Sequence, residues 1–450
     1  MRLAEAEAWL EGLINLERSP AALRRARLSL APVEALLARV GEPQRGLRVV
    51  HVAGSKGKGS TALLGEALLR AVGLSTGTFT SPHLERWTER FRIDGHEVPG
   101  DALAAAVTRL RPHVDALRQG ADPPSFFDVT TAAAFLLFAE AGVDVALVEV
   151  GLGGRLDSTN VVAPAVCCIT SIELEHTEKL GDTLAAIAGE KAGIAKAGVP
   201  LVVGALPAEA AEVVEARARA LGCPLARLGR ELGFELLGEA LEGSRFRFVD
   251  GAFELVLALA APGRHQAANA ALALACVRRT GCVDDAALRA AAPRAFARVE
   301  LPGRIEILGK APWLVVDGAH TAASARALAA TLHRIERRRS HLVLSVSAGK
   351  DLAAICQALV PEADLVTVTR AEPVRSLDPQ LVAAAVRAVA GRAEVRVVPN
   401  PHLALRAARE SLSADGLLCA SGSVYLAGIA RRVLRERSSD SRTPGPAPRV

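Results

Sequence analysis

"LRVVHVAGSKGKGSTALLGEALLRAVG" (47–73) is the stretch that decides the fold. It opens on an apolar, largely β-branched run of the kind found in parallel strands buried on both faces. From Ser60 onward apolar residues recur at helical spacing, so a helix follows. Between the two, Gly54, Gly57 and Gly59 alternate with Lys56 and Lys58 and lead into Ser60 and Thr61. In a strand–turn–helix, the backbone amides of such a turn and of the helix N-terminus point into one concavity, where they and the helix dipole favour an anion. The glycines let the backbone approach that anion closely. Lys58 then supplies a mobile charge to β- and γ-phosphates, and Ser60 or Thr61 a hydroxyl for Mg²⁺. The spacing is not GxxxxGK[ST]: Val52 stands at the first glycine position, and Gly59 separates Lys58 from Ser60.

Outward from this turn the same alternation continues. "FFDVTTAAAFLLFAEAG" (126–142) reads as a helix, "VDVALVEVG" (143–151) and "AVCCITSI" (165–172) as strands, "TLAAIAGEKAGIAKAG" (183–198) as a helix and "VPLVVG" (199–204) as a strand. This order predicts a doubly wound α/β sheet. Two amphipathic helices are expected ahead of residue 47. From 231 to 260 short alternating runs replace the pattern, with a hairpin expected at Asp250-Gly251. After "ELPGRIEIL" (300–308) strands and helices alternate again through "WLVVDGAH", "HLVLSV", "DLVTVT", "EVRVV" and "GLLCASG" to a last helix. The expected organisation is therefore a first domain over 1–300, a smaller α/β domain over 301–436, and a polar, proline-rich disordered tail over 437–450.

Composition narrows the function. With 450 residues, half of them apolar, the chain can bury two substantial cores. The net charge of +5 is spread among alternating arginines and acids and aromatics are only 3%, which argues against nucleic acid as a partner. The seven cysteines are scattered, with no CxxC, and read as reduced core residues of a cytoplasmic protein. "MRLAEAEAWLEGLINLERS" carries acids through its apolar stretch and fails as a signal peptide, and no run approaches the ~20 apolar residues of a membrane span. Of 54 basic residues only seven are lysines (56, 58, 179, 191, 196, 310 and 350). In so arginine-biased a chain, a persisting lysine marks a place for a compact charge whose pKa can move, which arginine cannot offer.

"HVAGSKGKGST" (51–61) resembles the variant P-loop of the folylpolyglutamate synthase and dihydrofolate synthase family of Mur-type ligases, which usually reads HVAGTNGKGST. Further blocks follow in that family's order: "TSPHLERWTERFRIDG" (80–95), "EVGLGGRLDSTNVV" (149–162), "EHTEKLGDTLAAIAGEKAGI" (175–194), "PGRHQAANAALA" (262–273), "PGRIEIL" (302–308), "DGAH" (317–320) and "SGSVYL" (421–426). The resemblance spans about 45 to 435. It implies a P-loop-containing doubly wound N-terminal ATPase domain with a smaller Rossmann-like C-terminal domain. The implied chemistry is ATP-dependent amide ligation of L-glutamate to a folate or dihydropteroate carboxylate through an acyl phosphate.

The same resemblance assigns the site. Gly54, Gly57, Lys58, Gly59, Ser60 and Thr61 hold ATP phosphates; Ser60, Ser81 and Glu149 hold one Mg²⁺. His176 serves a second Mg²⁺ together with Lys191, carbamylated by CO₂ into an anion. Asn269 is assigned to adenine, Arg304 to phosphate, Asp317 to ribose and His320 to the reacting end, so that both domains would bracket one ATP and close on it. The resemblance further implies a monomer. Glu149 also stands at a strand end, where open α/β sheets place ligands. Lys58, Lys191, His176 and His320 are the expected catalytic set.

Four positions depart from the family pattern. Lys56 replaces an asparagine in the loop, "EHT" puts Glu175 in place of an aspartate, "DGAHTAAS" brings Thr321 and Ala322 after His320 where Asn-Pro is usual, and "SVSAGKD" (345–351) lacks an acid before its lysine. These departures leave two alternatives open: a divergent Mur-type ligase acting on a non-folate acid, and a nucleotide-binding protein that has lost ligation.

Overall fold

The computed structural model describes residues 1–15, 28–120 and 122–439. Among these residues the chain divides into two compact units, one comprising Met1–Glu239, Gly243–Ala260 and Arg264–Val299, the other Ala240–Glu242, Ala261–Gly263 and the chain from Glu300 onward.

In the first unit, strands β1 (Val49–Ala53), β2 (Thr76–Phe79), β3 (Phe91–Ile93), β4 (His96–Glu97), β5 (Val145–Glu149), β6 (Pro164–Ile169), β7 (Leu201–Val203) and β8 (Leu225–Arg227) form one sheet in the order β4-β3-β2-β5-β1-β6-β7-β8. From β2 to β8 the neighbours run parallel. Central β1 and β5 are buried along their whole length, as helices on both faces of a parallel sheet require. The parallel sheet expected from the sequence is thus present, and the edge β2-β3-β4 is antiparallel. That edge was not legible: β3 and β4 are too short to show a period, and their link at Asp94 and Gly95, both left-handed, is a primed-type turn.

Local chemistry sets the helix boundaries. The helix Phe126–Ala141 starts at a Ser125–Asp128 capping box and stops at left-handed Gly142. The helix expected over 183–198 starts where Thr183 caps it and ends early, at Ala192, because the chain turns at Gly193, where a Cβ would stand 2.3 Å from that of Arg155. Two amphipathic helices, Leu3–Glu11 and Ala31–Arg39, precede β1 and pack into a cluster with Phe126, Phe135, Phe138 and Val148. Strands β9 (Leu232–Ala240), β10 (Gly243–Asp250) and β11 (Phe253–Leu259) make a separate small sheet, with the β10–β11 hairpin where Asp250-Gly251 placed it.

The second unit holds β12 (Glu306–Lys310), β13 (Trp313–Val316), β14 (Ser340–Leu344), β15 (Leu365–Val368), β16 (Glu394–Val397) and β17 (Leu417–Ser421), ordered β12-β13-β17-β14-β15-β16. All neighbours but β12–β13 are parallel, over a core that includes Val315, Leu328, Leu342, Ile355 and Val382. The last helix, Val424–Ser439, runs past the domain end expected at 436, since "RRVLRERSS" contains no breaker. The rest of the expected disordered tail, 440–450, lies outside the described residues. Among the described residues no helix is long and apolar enough to cross a membrane.

One buried group of the central strand gives a stability prediction. His51 Nε2 lies 2.8 Å from Thr159 Oγ1, and that hydroxyl donates to Asp157, so Nε2 carries the proton and Nδ1, which has no partner, is the bare nitrogen. Burial, aided by Lys196, pushes the imidazole down to about 3. The unfolded chain then binds a proton that the folded chain refuses between the ordinary histidine pKa and about 3. Stability contributed by this group is therefore lost as pH falls through that window. Wild type should lose roughly 2 kcal/mol more between pH 7 and 5 than the His51→Gln variant; urea unfolding at the two pH values measures it, and equal losses would contradict the account.

Candidate active site

The loop after β1 is shaped by two glycines that no other residue can replace without strain. Gly54 has φ +145°, and a Cβ there would lie 2.0 Å from Thr170 Oγ1; Gly57 has φ +85°, and its Cβ would lie 2.4 Å from Asn269 Oδ1. Gly57 also sits at the N-terminus of the helix Lys58–Ala71, so the loop delivers its amides to a helix start. Thr170 and Ser171, just beyond β6, fasten the loop. The Ser171 hydroxyl accepts from the Lys56 N–H (2.8 Å) and donates to the Lys56 carbonyl (3.1 Å), which the Thr170 hydroxyl also reaches at 2.5 Å. Ser55 adds a backbone bond to Ser171 (2.8 Å).

Around this frame stand the charged side chains. Lys58 Nζ donates to the Gly54 carbonyl at 3.1 Å and lies 4.0 Å from Glu149 Oε1. The other oxygen of Glu149 accepts the Ser81 N–H at 3.0 Å. Because β5 and β1 are paired with Val52 opposite Glu149, the carboxylate emerges beside the start of the loop. Lys191, on the helix Leu184–Ala192, is buried; its Nζ donates to the same Gly54 carbonyl at 3.0 Å and lies 3.3 Å from Glu175 Oε1. Lys56 Nζ lies 3.1 Å from Glu175 Oε2. His176 follows Glu175 with a left-handed backbone. Burial alone would raise the Glu175 carboxyl, but Lys56, Lys191, Lys58 and His176 outweigh it and hold it well below the usual carboxylate range. For Lys191 burial wins: the ammonium is pushed down to about 8 despite Glu175, with Lys58 and Lys56 adding to the effect.

Lys58, Ser60, Thr61, Ser81, Glu149, His176, Lys191 and Asn269 thus belong to one unit, and the contacts above link Lys58, Ser81, Glu149, Lys191 and Asn269 to a single loop. Sequence reasoning missed Thr170 and Ser171 as its fasteners; their signal was a hydroxyl pair ending the apolar run "AVCCI". It also missed that Lys56 and Glu175, two departures from the family pattern, touch each other.

In the second unit, Arg304, Asp317 and His320 sit on two turns joined by one carboxylate. Asp317 accepts the Ile305 N–H (2.6 Å) and the Ala319 N–H (2.7 Å). Burial pushes it up to about 6, opposed by those amides and by Arg304. Ile305 is held at φ 50°, a conformation a β-branched residue adopts only when its surroundings impose it. His320 Nδ1 donates to the Gly318 carbonyl at 2.7 Å. The Asp317 carboxylate is therefore a brace between "PGRI" and "DGAH".

Metal fit differs between the two expected ions. A carboxylate and a hydroxyl, Glu149 and Ser60, are of the chemistry that suits Mg²⁺, and the buried hydroxyl of Thr61, next to Ser60 in the chain, has no hydrogen-bond partner. Among the described residues no three His, Cys, Asp or Glu side chains converge as ligands, and Lys191, as an ammonium bonded to Gly54 and Glu175, offers no lone pair. A second ion at His176 would need Lys191 converted to an anion.

Comparison with known proteins accords with this arrangement. A Mur ligase middle domain matches residues 52–277 and a Mur ligase glutamate ligase domain matches 303–424. The dihydrofolate synthase/folylpolyglutamate synthase of Mycobacterium tuberculosis is 37% identical over 90% of this chain and 89% of its own length. A Halobacterium salinarum protein named "probable bifunctional folylpolyglutamate synthase/dihydropteroate synthase" is 36% identical over 90% of the chain, which spans only 50% of that relative's length. Among solved structures, M. tuberculosis folylpolyglutamate synthase complexed with ADP superposes with a TM-score of 0.86 at 35% identity, over 98% of this chain and 99% of that one. Escherichia coli FolC in complex with DHPP and ADP gives 0.83 at 28% identity, over 97% and 99%. With both domain families matched in order and full-length relatives above 30% identity, the chain belongs to the folylpolyglutamate synthase/dihydrofolate synthase family of the Mur ligase superfamily.

Proposed function

We propose that this chain is an ATP-dependent amide ligase that joins L-glutamate to the carboxylate of a folate or of dihydropteroate, acting as a monomer in the cytoplasm. A free carboxylate is a poor acyl donor, so the substrate carboxylate oxygen first attacks the γ-phosphorus of ATP, releasing ADP and leaving an acyl phosphate. The glutamate amine then attacks the acyl carbon and inorganic phosphate departs. The observation that carries this reading is the loop of Gly54 and Gly57 with Lys58 and Glu149 4.0 Å apart at its mouth, in a chain of this family.

Loop amides and Lys58 neutralise phosphate charge, the largest contribution a protein makes to phosphoryl transfer. Ser60, Ser81 and Glu149 are assigned to Mg²⁺, which would supply positive charge to neutralise the phosphates. Lys191, with its depressed pKa, supplies the neutral amine that CO₂ needs, and as a carbamate it would join His176 at a second ion. Asn269 is assigned to adenine, and Arg304 to phosphate, Asp317 to ribose and His320 to the reacting end. Since both Asp317 oxygens already accept backbone amides, any ribose contact would be shared with them.

Purified protein with Mg-ATP, labelled glutamate and either dihydropteroate or tetrahydrofolate should yield a glutamylated pterin and one ADP per bond. ATP turnover that responds to neither pterin would overturn the proposal.

A further inference from the structure

Lys56 has no part in the assignments above, yet it occupies the middle of the phosphate loop. Its backbone is fixed on both sides, by the Ser171 hydroxyl at the N–H and by Thr170 and Ser171 at the carbonyl. Its side chain is the loosest of the three lysines there: 25% exposed, against 15% for Lys58 and 3% for Lys191. Its ammonium rests on Glu175 Oε2 at 3.1 Å, while Glu175 Oε1 is held separately by Lys191 at 3.3 Å. This sharing matters for what Lys56 can do. A buried carboxylate left without a cation is costly, but Glu175 would keep Lys191 if Lys56 swung away. Lys56, Lys58 and Lys191 thus stand with the carboxylates of Glu149 and Glu175 around a loop that leads into a helix N-terminus.

We propose that Lys56 is a second polyphosphate-binding ammonium, parked on Glu175 in the free protein and transferred to the β,γ-phosphates when nucleotide enters. The proposal rests on the reading that this loop holds ATP. Transfer exchanges one charge-assisted hydrogen bond for another on a flexible four-carbon stem whose root does not move. The consequence is a loop that carries part of its own counter-charge and binds nucleoside triphosphate with reduced dependence on magnesium.

Calorimetric titration of the full chain with ATP, in EDTA and in Mg²⁺, tests this, with thermal melting of each nucleotide-free variant as the check on folding. Lys56→Met should weaken ATP binding in EDTA about tenfold or more, and by less in Mg²⁺, where the ion shares the charge. Lys56→Arg, which keeps the charge, should stay within about threefold of wild type in EDTA. If Lys56→Met binds ATP in EDTA as tightly as wild type, Lys56 is only a structural partner of Glu175 and the proposal is overturned. If Met and Arg weaken binding equally, charge is not the cause, and it is likewise overturned. Wild type that binds no ATP even with Mg²⁺ would instead overturn the reading of the loop itself, and the proposal with it.

Discussion

Lys58→Ala should lower kcat/KM for ATP by on the order of 10³-fold, the effect of deleting one preorganised charge aimed at a transition state. The side chain is held by the Gly54 carbonyl at 3.1 Å and stands 4.0 Å from Glu149, so its charge is fixed at the loop to which the proposed function assigns the phosphates. The fold should tolerate the change. Lys58 belongs to the first turn of its helix, where alanine is a good residue, and the loop is fastened by Thr170 and Ser171 without it. Steady-state kinetics with ATP varied, together with thermal melting, separates the two. A variant that melts as wild type and retains more than a tenth of its kcat/KM would show that the ammonium does not serve the phosphates.

Lys191→Ala should abolish turnover to a similar degree, on the order of 10³-fold, while ATP binding stays largely intact. Lys191→Arg should be no better, because guanidinium stays protonated and cannot take up CO₂. The pH dependence has a definite sign. Burial holds the ammonium at about 8, so below that pH the neutral amine, and carbamate formation with it, falls tenfold per unit. Wild type assayed in CO₂-depleted buffer should therefore lose activity as pH drops below 8, and added bicarbonate should restore it. An active arginine variant would refute the carbamate role.

Much of this was legible in the sequence, for a physical reason that also explains the gaps. Chemistry written in consecutive residues was readable: the apolar run of β1, the glycines and the helix that follows dictate a strand, a left-handed glycine turn and a helix locally. The β2-β3-β4 edge was not, since two- and three-residue strands have no period to read. The fasteners of the loop were hidden for a different reason. Thr170 and Ser171 lie more than a hundred positions from Lys56, and nothing in local spacing marks two hydroxyls after a strand as anchors of a distant turn. The Lys56–Glu175 pair, 119 positions apart, surfaced in the sequence only as two isolated departures, and only the fold, with β1 beside β6, brings them into contact. For Asp317 the resemblance carried by "DGAH" implies a ligand contact, and only the structure adds that its oxygens brace two turns, beside an Ile305 in a left-handed backbone.

The ladder of β1 carries a consequence for how the molecule acquires its activity. Val52 is registered against Glu149 on one side and Cys168 on the other, segments synthesised roughly a hundred residues later. Closing such loops comes at a large entropic cost before any contact rewards it, so this strand is completed slowly and late. A nascent chain released before β6 would own Gly54, Lys56, Gly57 and Lys58 and still lack Thr170 and Ser171 to anchor them. Competence for nucleotide thus cannot precede β6, and it waits further on Lys191 and Asn269, which reach the same loop from still later in the chain.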